Sequence, residues 1–293
     1  NIGIDHLIKF KTRIYAGTFN CANADCQTGS GQIWSSGTGN PGSWTQVVGD
    51  GFGDNVNAEI SRFAVFNNQL YAGTWSYNSA VHGTEVWRSS TGNPGSWNRV
   101  VANGFNGDSE NAVLLSFESF NGYLYAGTIN NNTGAEVWRS ATGNLGNWTQ
   151  VNTDGFGAGE NYVTALAAFK GFLYALAGGP YDGHGNDIWR CQICDGSDWA
   201  PIATNGFGDS NSVGSSALEV VNDRLYLVLR NRATGMQVWM TSNGLDWTQI
   251  GFNGFGDYSN FEPYWDNSVT GFNNHLYVGD INYGNGGEIW RTR

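Results

Sequence analysis

FNGYLYAGTINNNTGAEVWRSATGNLGNWTQVNTDGFGAGEN, residues 120–161, decides the fold, because its parts recur in the same order along the chain. A Leu-Tyr or Ile-Tyr pair comes six times, at Ile14-Tyr15, Leu70-Tyr71, Leu124-Tyr125, Leu173-Tyr174, Leu225-Tyr226 and Leu276-Tyr277. An acid or amide followed by Val or Ile and then Trp also comes six times, ending at Trp34, Trp87, Trp138, Trp189, Trp239 and Trp290. A second Trp about ten residues on comes five times, at Trp44, Trp97, Trp148, Trp199 and Trp247, each before a Gly-Phe pair.

The tyrosines lie 49 to 56 residues apart. A period near fifty with room for four short strands is the pattern of a β-propeller or a related array. The whole of residues 1–293 then reads as one all-β propeller domain. The 43 Gly and 42 aromatic residues, against 5 Pro and 13% charged residues, suit many turns and aromatic strands. With 25 acidic and 14 basic residues, the chain lacks the positive patch that nucleic acid or an anionic membrane demands. No apolar run is long enough for a membrane helix. Neither a starting Met nor a signal peptide is present, and Asn1 matches Asn57 of the repeat. We therefore expect a mature secreted or cell-surface chain, or a trimmed piece of a longer one.

Four strands, A to D, fit each repeat. Strand A is a small-residue stretch such as 112–120, B is Leu-Tyr-Ala-Gly-Thr, C is Glu-Val-Trp-Arg-Ser and D is Trp-Thr-Gln-Val. Asn67-Asn68, Asn121-Gly122, Lys170-Gly171, Asn222-Asp223 and Asn273-Asn274 are suited to tight A–B turns with positive φ. Six A–B–C sets but five D strands predict six blades, the last three-stranded. A five-bladed ring with a docked hairpin is the alternative.

The C–D turn Thr241-Ser242-Asn243-Gly244-Leu245-Asp246-Trp247 resembles the Asp-box of sialidases and other propellers, with Asn243 at the Asp position. Residues 89–97 and 140–148 resemble longer versions. In that family the box is a structural hairpin away from the active site, which implies a frame role for these turns. Propeller lectins of the tachylectin type are similar in architecture, through their Trp- and Gly-rich blades.

The D–A link reads Gly-Phe-Gly-Asp-x-x-Asn at 51–57 and 254–260, with variants at 104–111, 155–161 and 206–212. Its Phe is expected to plug the space between blades. Asp54, Asp108, Asp209 and Asp257 are candidate calcium ligands, but calcium takes 6–8 oxygens, and capping of the turn is the reading the spacing favours. Cys21/Cys26 and Cys191/Cys194 fall as two close pairs, which suit local disulfides in an oxidising compartment. A redox or metal role for Cys191-Gln192-Ile193-Cys194 is the rival reading.

Function is sought where the repeat breaks, since identity between blades is already explained by the frame. In a propeller the D–A and B–C connections share the face around the channel mouth, the usual ligand side. Two broken stretches belong there: Tyr181-Asp182-Gly183-His184, and the insertion holding Glu262, Tyr264, Trp265 and Asp266. Aromatic planes beside carboxylates suit sugars, so the expected partner is a glycan or glycoprotein, bound lectin-fashion. A polysaccharide lyase or glycoside hydrolase using loop carboxylates is the second reading, and a structural module of a larger surface protein the third. Glu59, Glu110, Glu160 and Glu262 lie near that face, although three of them recur with the repeat, as do Arg88, Arg139, Arg190 and Arg291. His6, His82, His184 and His275 show no metal-ligand spacing.

Overall fold

The computed structural model describes all residues except 22–28, 79–81, 180–183, 262–267 and 293. The chain forms two compact units, Asn1–Gln150 and Val151–Arg293.

The first unit contains three antiparallel four-stranded meanders: β1 (Gly3–Phe10), β2 (Arg13–Phe19), β3 (Ile33–Ser36) and β4 (Thr45–Val48); β5 (Asn57–Phe66), β6 (Gln69–Ser76), β7 (Val86–Ser89) and β8 (Trp97–Val101); β9 (Val113–Phe120), β10 (Tyr123–Ile129), β11 (Val137–Ser140) and β12 (Thr149–Gln150). The second contains two more and a three-stranded one: β13 (Tyr162–Phe169), β14 (Phe172–Gly178), β15 (Asp187–Cys191) and β16 (Ala200–Ala203); β17 (Ser212–Val221), β18 (Arg224–Asn231), β19 (Gln237–Thr241) and β20 (Thr248–Ile250); β21 (Val269–Phe272), β22 (His275–Gly279) and β23 (Ile289–Arg291).

Each A–B turn is tight for the expected reason. Asn67-Asn68, Asn121-Gly122, Lys170-Gly171, Asn222-Asp223 and Asn273-Asn274 all have positive φ at both positions, as a hairpin matched to strand twist requires.

Apolar clusters lie between successive meanders. Tyr15, Ile33 and Phe63 are buried together in one, and Tyr71, Phe105, Leu114 and Trp138 in the next. In the second unit Tyr174, Ile188, Leu225 and Leu227 form a third, and Val228, Val238, Leu276 and Val278 a fourth.

The Gly-Phe link is the plug of each interface. Phe52 stacks on Trp87 at 4.4 Å and meets the edge of Trp97 at 5.6 Å. Phe105 does the same with Trp138 and Trp148, Phe156 with Trp189 and Trp199, and Phe207 with Trp239 and Trp247. All five link phenylalanines, Phe255 included, sit at φ between 52° and 65°. That left-handed conformation is costly for a residue with a Cβ, and burial against the indoles offsets the cost.

The strand-B tyrosines point forward along the chain. Tyr15 donates to the Thr91 carbonyl at 3.4 Å and Tyr174 to the Gly244 carbonyl at 3.2 Å, each in the next repeat's C–D turn. Those turns need glycine twice over: Gly92, Gly143 and Gly244 have positive φ, and a Cβ on any of them would fall on a tyrosine hydroxyl.

Cys191 and Cys194 are joined in the turn that closes β15. Cys21 is also disulfide-bonded, while Cys26 lies outside the described residues.

Candidate functional site

In the regular repeats the polar residues behind the link satisfy one another. Asn57 Nδ2 donates to the Gly51 carbonyl at 3.0 Å and to Glu85 Oε2 at 2.9 Å, and Trp87 Nε1 donates to the same oxygen at 2.9 Å. One repeat later Asn111 Nδ2 and Trp138 Nε1 donate to Glu136 Oε2 at 2.6 and 2.7 Å. The other Glu85 oxygen accepts from the Arg99 guanidinium, so the buried carboxylate has its lone pairs occupied by the frame.

The four link aspartates are occupied as well. One carboxylate oxygen of Asp54, Asp108, Asp209 and Asp257 accepts the backbone N–H two residues on, at 2.8 to 3.0 Å. The other accepts from Asn130, Asn231 or Asn282, or meets His82 Nε2 in the case of Asp54. The backbone N–H groups of Asn211 and Ser259 hold the Asp209 and Asp257 carboxyls below the ordinary carboxylate range. These contacts are those of turn caps.

The fourth repeat departs from this scheme at three positions at once. Its link is one residue shorter. A Cβ on Gly51, Gly104 or Gly206 would meet Asn57, Asn111 or Ser212, whereas on Gly155 it meets Glu160. A glutamate thus stands where the other links place an amide or a hydroxyl. The strand acid is Asp187, a methylene shorter than Glu85 or Glu136, and its Oδ1 accepts the Asn205 N–H at 2.7 Å. Trp189 Nε1, whose counterparts Trp87 and Trp138 donate to the strand glutamate, is buried without a hydrogen-bond partner.

The third departure is His184. Its Nδ1 lies 3.7 Å from Glu160 Oε1 and 3.7 Å from Asp187 Oδ1. Glu160 and Asp187 are 1% and 3% exposed, while the His184 side chain is 48% exposed. One ligand atom from each of the three lies within 4.8 Å of the others. A separation of 3.7 Å is too long for a hydrogen bond, but it is near the spacing of two ligands on one cation, roughly 3–3.6 Å for bonds of about 2.1 Å. The two nearly fully buried carboxylates share one imidazole, a set of one nitrogen and two oxygen donors of the kind that binds divalent transition metals. The arrangement is therefore a candidate metal centre, open to solvent on the imidazole side.

His184 is the one sequence-selected ligand residue that the structure describes. Tyr181, Asp182, Glu262, Tyr264, Trp265 and Asp266 lie outside the described residues. No ligand spacing is legible among the histidines in sequence; in the structure His184 lies beside Glu160, 24 residues earlier in the link, and Asp187, three residues later in β15. The other histidines serve the frame. His82 bridges Asp54 and the Gly83 carbonyl, and His275 contacts the Thr292 carbonyl at 2.8 Å. Burial, with Arg62 second, brings His6 down to about 3, so it is neutral and accepts the Phe63 N–H.

A second departure lies in the first unit, where Tyr77 runs parallel to Phe19 at 5.6 Å and to Trp75 at 4.3 Å. Burial first, then Glu59 and Asp5, pushes the Tyr77 phenol up.

Among solved structures, the chain is similar to a prolyl endopeptidase at TM-score 0.59 and 12% identity, over 99% of this chain and 41% of the other. It is similar to Trypanosoma rangeli sialidase at TM-score 0.55 and 13% identity, over 98% and 53%. A putative exo-β-1,3-galactanase from Bifidobacterium bifidum s17 gives TM-score 0.52 and 10% identity, over 89% and 93%. The chain thus spans about two fifths of the endopeptidase and half of the sialidase. No protein-family profile and no curated protein matches it. At these identities the likenesses define the fold alone: an all-β propeller.

Proposed function

We propose that the chain is a secreted or cell-surface, carbohydrate- or glycoconjugate-binding propeller. Its glycan is held at the fourth repeat through a divalent cation on Glu160, His184 and Asp187. The observation that carries this reading is the coincidence of three departures from the repeat in one cluster, each contributing a ligand atom.

One imidazole nitrogen with two carboxylates suits zinc or manganese better than calcium, which prefers oxygens alone. Sugar hydroxyls would complete the coordination from the open side. Tyr181 and Asp182, adjacent in sequence to His184, would supply a stacking plane and an acceptor. Trp265, Tyr264, Asp266 and Glu262 are proposed as further contacts. The sialidase and the galactanase take their names from glycan substrates, which supports the substrate class. The disulfide at Cys191–Cys194 supports the oxidising compartment, and no described helix is long and apolar enough to cross a membrane.

A glycan array probed with zinc, manganese, calcium or chelator tests the reading. Signals should appear with a transition metal, fall with chelator and be lost in His184→Ala. Signals unaffected by both chelator and His184→Ala would refute the site.

A second reading, glycoside hydrolysis, is favoured by one distance. Carboxylate oxygens of Glu160 and Asp187 lie within 4.8 Å of each other, near the ~5–5.5 Å of retaining enzymes. Turnover of an array-selected glycan, abolished by Glu160→Gln, would establish it.

A further inference from the structure

One residue outside the Glu160–His184–Asp187 cluster holds two of its members. Asn205 Oδ1 accepts the Gly185 N–H at 2.8 Å, next to His184, and the Asn205 backbone N–H donates to Asp187 Oδ1 at 2.7 Å. That carboxylate oxygen is the one that lies 3.7 Å from His184 Nδ1. A carboxylate oxygen has two lone-pair directions, so a single N–H leaves it one direction for a cation. The fit between loop and clamp is close: a Cβ on Gly185 would fall 2.5 Å from the Asn205 carbonyl carbon. Asn205 stands at φ 52°, in the left-handed region that asparagine visits more readily than most residues with a Cβ.

The second repeat shows which part of this arrangement belongs to the frame. His82-Gly83 precedes Trp87 by the same count as His184-Gly185 precedes Trp189, and Asn103 precedes Gly104-Phe105 as Asn205 precedes Gly206-Phe207. Asn103, at φ 53°, accepts the Gly83 N–H through Oδ1 at 3.0 Å. The side-chain arm is thus common to both repeats, and the backbone arm is not. Glu85 is occupied by Asn57, Trp87 and Arg99 instead of the Asn103 N–H. In the fourth repeat the shorter Asp187 takes the Asn205 N–H, and one residue then grips the chain on both sides of Asn186.

We propose that Asn205 is the positioning residue of the metal centre, an inference that rests on the reading of Glu160, His184 and Asp187 as that centre. Its two arms set the His184 imidazole against the Asp187 carboxylate, so that the cation finds the pair already placed. Partners of this kind, which bond to the ligands and not to the metal, typically govern about 10- to 100-fold in metal affinity.

The test titrates zinc and manganese salts into the intact chain by calorimetry. Asn205→Gly keeps the left-handed backbone and the N–H to Asp187 but loses the acceptor for Gly185, and it should bind metal at least about tenfold more weakly. Asn205→Asp keeps that acceptor and should bind at least as tightly as the parent chain. Asn103→Gly removes the same arm from the second repeat and should leave the metal affinity unchanged, which separates positioning from a general loosening of the links. Equal affinity of the parent and Asn205→Gly chains, equal weakening by Asn103→Gly, or an Asn205→Asp chain as weak as the glycine variant would each overturn the inference. A parent chain that takes up neither metal would refute the centre itself, and the role of Asn205 with it.

Discussion

Replacing Phe105 tests whether the link is strained and repaid by aromatic packing. Phe105 is 1% exposed, at φ 63°, between Trp138 and Trp148. Phe105→Ala should cost about 3–5 kcal/mol, the usual range for truncating a buried Phe. The alanine keeps a Cβ in the left-handed region, at about 1–2 kcal/mol. Phe105→Gly loses the same packing but not that strain, and its unfolded chain gains entropy worth about 0.5–1 kcal/mol. Strain relief is the larger of the two, so the Gly variant should be the more stable by about 0.5–1 kcal/mol. At Leu114, which is fully buried in β9 with no positive φ, the order should reverse. Urea midpoints at constant m-value read both pairs. An Ala variant more stable than the Gly variant at 105 would refute the account of the link.

Gly143→Ala should lose about 2–4 kcal/mol from overpacking and positive φ, and Gly143→Ala in a Tyr71→Phe background should lose less, read by the same urea titration. Removing the short Cys191–Cys194 loop with the double Ser variant should cost about 2 kcal/mol, and non-reducing mass mapping should show Cys21 joined to Cys26. The Asp209 carboxyl titrates lower in the folded chain than its ordinary 3.8. Its contribution is therefore present above that value and lost as pH falls through the folded value; Asp209→Asn should flatten that part of the acid limb of a stability–pH curve. If residues 1–293 form one domain, calorimetry should show a single cooperative transition. Two transitions, with a protease-resistant piece ending near Gln150, would overturn it.

The hairpins and plugs were legible because they depend on local chemistry. Asn-Gly pairs announce positive φ, and Gly-Phe followed by Trp 32 to 35 residues on announces one interface. The Glu160–His184–Asp187 cluster was not legible, for a reason of register. In the letters, Glu160-Asn161 aligns with Glu110-Asn111, which makes Glu160 look like part of the repeat. In space the count runs back from the end of strand A, where Glu160 stands nine residues before Phe169 as Asn111 stands before Phe120, and the shorter link carries Glu160 into the place of Asn111. Asp187 likewise passes for one more strand acid. Only His184 stood out, and its partners come from 24 residues before and three after.

The forward reach of Phe and Tyr gives the chain a direction. The second to fifth repeats each hold a pair of indoles that the preceding link's phenylalanine fills, and Gly92, Gly143 and Gly244 are turn glycines on which the tyrosine of the repeat before rests. A single repeat cut out alone would expose both indoles to water, so the fifty-residue unit of sequence is not a unit of stability. Its stability resides in the junctions, as in a linear array governed by nearest-neighbour terms. A polypeptide growing from its N-terminus would present each plug before the socket that receives it. Loss of one link should therefore loosen the repeat that follows it more than the repeat that carries it.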